Sequence, residues 1–161
     1  EAGRDPAAVR VWSCFATVPD DLPEDVRLKR TVGRLATYLQ GYGELMVTTN
    51  GWDPAVLARF RADPVVAGFP GALDAAADTA TLEHVATLLP DAWLAAAATG
   101  DAQACARAVR NQFDLGVDGV ILHGSPPADL AGVVEAYRQL PRPAAAAGLA
   151  TTPANPGAPR G

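Results

Sequence analysis

The sequence predicts an α/β protein built on parallel strands, and three observations carry that expectation. Apolar runs at 9–18, 93–98 and 117–123 are too continuous for strands with one wet face. The stretches between them place apolar residues at helical spacing. Short loops rich in Gly, Pro and Asp join the two kinds of segment, and strands alternating with helices call for crossovers and a parallel sheet. A chain of 161 residues, 49% hydrophobic and 19% charged, suits one domain of this class.

Residues Val9 to Val18 (VRVWSCFATV) combine β-branched and aromatic side chains and read as a strand covered on both faces, ending at Pro19-Asp20-Asp21. From Glu24 to Gln40, Val26, Leu28, Val32, Leu35, Ala36 and Leu39 form an apolar stripe, with acids early and Arg later in accord with the helix dipole. Gly41-Tyr42-Gly43 is expected to break that helix, and the segment to Asn50-Gly51 reads equally as a short helix or an irregular crossover. Asp53-Pro54 and Asp63-Pro64 each pair an N-cap with a proline at the first helical position, giving a helix through Phe60 and a further turn after it. Gly68, Pro70 and Gly71 interrupt, and Asp78 caps a helix from Thr79 to about Leu89.

The last third is more regular. Trp93 to Ala98 is a short apolar run ending at Thr99-Gly100, followed by an Ala-rich helix from Asp101 to Leu115 that closes on Gly116. Val117 to His123 is a buried strand, and Ser125-Pro126 opens a final helix to Leu140, with Ser125 expected as its N-cap. Three such strands cannot cover themselves and call for neighbours, in a doubly wound sheet or a closed barrel. Glu1 to Pro6 reads as the end of a helix whose beginning is missing, so a missing N-terminal half is the simplest expectation. Residues 141–161, with Pro141, Pro143, Pro153, Pro156 and Pro159 among Ala and Gly, read as a disordered Pro/Ala-rich tail.

From Trp93 onward, WLAAAATGDAQACARAVRNQFDLGVDGVILHG resembles the end of the luciferase-like monooxygenase superfamily. RLKRTVGRLATYLQGYGELMVTTNGWDP is similar to its coenzyme F420-dependent oxidoreductase branch. The family's turn after the penultimate strand is commonly Gly, then Thr or Ser, Pro and Glu; here it stands as Gly100-Asp101-Ala102-Gln103, with the turn kept and the side chains changed. The resemblance spans residues 1–140 and implies a partial TIM (β/α)8-type barrel, about its last three β/α units. It also implies hydride transfer between coenzyme F420, or alternatively FMN, and a small organic substrate. The main cofactor-gripping loops of the family belong to earlier strands, so the isolated chain is expected to be inactive.

In a barrel, functional groups gather where the strands end. Ser13, Cys14 and Thr17 therefore stand as candidates to face the mouth, or else simply as strand-packing residues, and Cys14 has no cationic neighbour in sequence to activate its thiol. Thr99 and Gly100 precede a helix N-terminus that offers free N–H groups, although Asp101 there would cap the helix and repel an anion. His123 and Gly124 follow the last strand, with His123 either reaching a substrate oxygen or packing. Tyr38, Tyr42, Asn50 and Trp52 cluster in the long crossover as a pocket wall, or else as helix packing or a subunit contact, and His84 reads as a surface residue.

Composition narrows the alternatives. A net charge of −5 with 13 scattered basic residues speaks against nucleic acid. No apolar run reaches the ~18 residues of a membrane span, and no targeting peptide is visible. Cys14 and Cys105 have neither CxxC spacing nor a nearby His, so no metal site or disulfide framework is expected and the chain reads as cytoplasmic and reduced. Walker, GxGxxG, HExxH and GxSxG patterns are missing, as are paired carboxylates. The expected partners are a small-molecule substrate and the rest of the barrel. A non-enzymatic module that completes its sheet by association with itself or another chain is the reading from a different class, motivated by the lack of a compact catalytic motif and by open parallel edges.

Overall fold

The computed structural model describes Gly3, Asp5 and residues 8–141. The tail expected at 141–161 lies, apart from Pro141, outside the described residues, as does most of the helix end read at residues 1–6. Within them the chain is α/β, with three parallel strands, β1 (Trp12–Pro19), β2 (Ala98–Gly100) and β3 (Gly119–His123). Their order is β2-β1-β3, with Thr17 opposite Ala98 on one edge of β1 and Trp12 opposite Gly119 on the other. Consecutive β/α units of a barrel would instead place β2 between its neighbours. The difference has a local cause: β2 offers only three residues for pairing, whereas β3 pairs over five with the open edge of β1.

Asp118 fixes that second pairing from just outside the strand. Its carboxylate accepts the Val11 N–H at 2.8 Å and an Arg10 N–H at 2.8 Å, while its own N–H donates to the Val11 carbonyl. The Val11 N–H and the Arg10 guanidinium hold the carboxyl below the usual aspartate range. Both layers of the sheet are then set by parity, because paired residues on neighbouring strands share a face. Ser13, Phe15 and Thr17 face α8 (Ala102–Asp114) and α9 (Ala131–Gln139), with Phe15 packed near Ala98, Cys105 and Val133. On the opposite face Trp12 and Ile121 remain 61% and 51% exposed, with the Trp12 ring lying over Gly119.

The larger core belongs to the crossover between β1 and β2. Helices α1 (Glu24–Leu28), α2 (Arg34–Asn50), α3 (Pro54–Ala62), α4 (Pro64–Ala67), α5 (Leu73–Ala76), α6 (Thr79–Ala86) and α7 (Asp91–Leu94) bury Leu39, Phe60, Leu73, Leu82 and Val85 almost completely. The break expected at Gly41-Tyr42-Gly43 is present as a kink, with Tyr42 leaving helical geometry at φ −130°, ψ 20°, and of the two readings left open for the segment to Asn50 the helix is the one found. Tertiary packing overrides the glycine penalty there: a Cβ on Gly43 would stand 2.6 Å from the Leu57 side chain, so α3 approaches closely only because that position is bare. A π-helical turn, Lys29–Gly33, joins α1 to α2, and the Thr31 hydroxyl donates to the Arg27 carbonyl at 2.8 Å within it.

The caps expected at Asp53, Asp63, Asp78 and Asp101 are present, each carboxylate accepting an N–H of the first turn. The cap expected at Ser125 is not. The last helical stretch opens with a 3-10 turn at Pro127–Leu130 preceded by Pro126, and the Ser125 hydroxyl instead donates to the Thr17 carbonyl at 2.8 Å, tying the loop after β3 to β1. The run from Trp93 likewise begins in helix α7 and becomes strand only at Ala98, because Trp93 is drawn into the crossover core.

Candidate functional site

A cavity of about 310 Å³ opens where the crossover meets β1. Cys14 and Ala16 contribute to its floor, Tyr38, Met46 and Asn50 come from α2, and Trp52 and Trp93 stand side by side. The two indoles stack with centroids 4.3 Å apart and planes 11° from parallel. Gly51 makes that stack possible. At φ 63° it takes the left-handed conformation that ends α2, and the Trp52 N–H then donates back to the Val47 carbonyl at 2.9 Å, which folds Trp52 against the core.

Two arginines from the π-turn and the start of α2 complete the wall, Arg30 anchored to the segment after β3 and Arg34 to α5 and the last residue of β3. Arg30 donates to Asp129 at 2.7 Å and to the Ser125 hydroxyl at 3.1 Å. Arg34 donates through Nε to Asp74 at 2.8 Å, and its Nη1 lies 3.0 Å from His123 Nε2. Asp74 is itself held by the Thr37 hydroxyl at 2.9 Å and returns its N–H to the same oxygen at 3.0 Å. Burial pulls the Arg34 guanidinium down, but Tyr38 and Asp74 beside it more than offset this and hold it above its ordinary value. Arg34 is thus a fixed cation with donors in place on the edge of an aromatic cavity.

The residues expected from sequence divide between this cavity and other places. Trp52 lines it, as do Tyr38 and Asn50, and His123 is one hydrogen bond from its wall through Arg34. Tyr42 is 64% exposed and outside it, because the kink turns that ring outward. Ser13 and Thr17 lie on the helix-covered face of β1: Ser13 donates to Gln112 at 2.9 Å, and Thr17 is fully buried with its hydroxyl on the Phe15 carbonyl. Gly124 turns the chain after β3, at φ 91°, toward Ser125. Thr99 and Gly100 border a separate cavity of about 180 Å³ with Arg27, whose buried Nε has no hydrogen-bond partner among the described residues. Asp20 and Glu24 share that cavity and Asp101 caps α8 beside it, so the field there is negative. Burial, helped by Asp20, Asp101 and Asp21, pushes the nearby Cys105 thiol up to about 11.

Sequence reasoning missed Arg30, Arg34 and Asp74. The available signal was two arginines four residues apart, and so on one side of the helix, in a stretch that also carries Arg27 and Lys29. His84 is the surface residue it was expected to be, with Nε2 at 3.0 Å from Asp63. Among the described residues no three His, Cys, Asp or Glu side chains gather as metal ligands, and no helix is long and apolar enough to cross a membrane. No family model matches the chain, and no curated protein or solved structure matches it.

Proposed function

We propose that this chain is the C-terminal portion of a coenzyme F420-dependent oxidoreductase of the luciferase-like type, in which the cavity beside β1 receives the flat ring system of the deazaflavin. The observation that carries this reading is the pairing of stacked indoles with a fixed arginine in one cavity. A volume of about 310 Å³ is at the lower end of small-molecule sites, enough for a ring system and too small for the whole cofactor with its anionic tail. When bound, the deazaflavin supplies hydride transfer. Trp52, Trp93 and Tyr38 would exclude water and set the plane of the ring, and Arg34 would donate to an acceptor at its edge. The covering of the sheet by α8 and α9 on one face supports a barrel wall, whose inner face would be the one carrying Trp12, Cys14 and Ile121. In that reading further strands from outside this chain extend the sheet, beyond β2 on one edge and beyond β3 on the other.

The test is a titration of oxidised coenzyme F420, and separately of FMN, with the chain, read by cofactor fluorescence. Saturable quenching by the deazaflavin that is lost in Trp52→Ala is the expected result. Saturation by FMN alone would move the assignment to a flavin-dependent monooxygenase, and no saturation by either would overturn it. The exposed Trp12 and Ile121 favour a second reading, a module that completes its sheet by association. Folding that depends steeply on protein concentration and is indifferent to both cofactors would support that alternative.

A further inference from the structure

We propose that Arg34 is a positioning residue that fixes His123 as the neutral tautomer with its proton on Nδ1. A guanidinium has only donors, so the Arg34 Nη1 lying 3.0 Å from His123 Nε2 requires that nitrogen to present its lone pair. Arg34 cannot swing away cheaply, because its Nε is held by Asp74 at 2.8 Å and Asp74 is in turn held by Thr37. The proton of a neutral His123 must then sit on Nδ1, which has no hydrogen-bond partner among the described residues.

His84 is the internal contrast. Its Nε2 lies 3.0 Å from a carboxylate oxygen of Asp63, an acceptor, so there the proton belongs on Nε2. One chain therefore holds its two histidines in opposite tautomers, each dictated by the partner of Nε2. Resting on the function proposed above, the consequence is that His123, which is not in the cavity lining, takes up one guanidinium N–H of Arg34 through Nε2 and leaves the others for the bound cofactor.

The experiment is a long-range proton–nitrogen correlation spectrum of the nitrogen-15-labelled chain, above the imidazole titration, with His84→Gln used for assignment. The expected spectrum shows His123 Nε2 unprotonated and Nδ1 protonated, and His84 the reverse. In Arg34→Met the His123 proton should move to Nε2, and Arg34→Lys, which restores a donor, should bring it back at least in part. A protonated Nε2 in the unsubstituted chain overturns the proposal without recourse to any variant, and so does an unchanged tautomer in a folded Arg34→Met. Added coenzyme F420 should shift the Arg34 guanidinium signals and leave the His123 tautomer as it is. Binding seen by fluorescence with no change at Arg34 removes its role toward the cofactor. Absence of binding overturns the cofactor reading instead, while the tautomer spectrum still decides the part played by Arg34.

Discussion

The two cysteines show how far environment separates chemically identical residues. Cys14 is exposed on the uncovered sheet face and Cys105 is buried on the inner side of α8, both as free thiols. A thiol reagent is expected to modify Cys14 alone in the native chain and both residues in denaturant; native labelling of Cys105 would show that α8 opens readily. Because burial raises the Cys105 thiol from an ordinary 9.0 to about 11, the folded state favours the protonated form. Its contribution to stability is complete below the ordinary value and falls as the pH rises from there through about 11, which chemical denaturation across that window would measure. Gly43 is the other instructive residue. Alanine would improve helix propensity by about 0.5–1 kcal/mol, yet its methyl would meet Leu57 and Arg61, and overpacking costs about 1–3 kcal/mol. The expected net effect of Gly43→Ala is a lower melting temperature.

At the scale of elements, the helix caps carry the most transferable expectation. Asp101→Ala removes the acceptor for the Ala104 N–H and should destabilise α8 by about 1 kcal/mol, measured by denaturant midpoint. Caps were legible in the sequence because the bond joins residues two or three positions apart, and Asp53, Asp63, Asp78 and Asp101 were each read correctly. Helices α5 and α7 were not legible, since four residues cannot sustain a helix by propensity and both exist because Leu73 and Trp93 are pulled into the core. The order of the strands was equally hidden, being settled by the 107-residue reach from Val11 to Asp118. Asp118→Ala is expected to fray the β1–β3 pairing, seen as faster amide exchange along both strands. Since the Asp118 carboxyl titrates below its ordinary range, its stabilising effect is present above that range and lost as the pH falls through the lowered value. The candidate site divides in the same way: Trp52 and Tyr38 were visible as a local aromatic cluster, whereas Arg34 acquires its meaning only from Asp74 and His123, 40 and 89 residues away.

At the scale of the molecule, apolar side chains are distributed unevenly. Fourteen buried apolar residues form the crossover core, against eight on the strands, α8 and the last helical stretch together, so the crossover should resist unfolding longer than the strands do. The sheet leaves Val11, Trp12 and Ile121 about half exposed or more. Association of the chain through this face is expected to grow with concentration in sedimentation experiments and to weaken in a Trp12→Glu, Ile121→Lys double variant. A monomer at all concentrations would show that the face needs no cover.

The three tryptophans fall on opposite sides of that divide, one bare on the sheet and two face to face at the cavity. Indoles 4.3 Å apart and nearly parallel share their excited states, so the pair should give a split band in the aromatic circular dichroism, with Trp12 contributing the wet, red-shifted emission. Each half of the protein thus carries its own optical signal, and the melting of the crossover can be timed against that of the strands without adding a label.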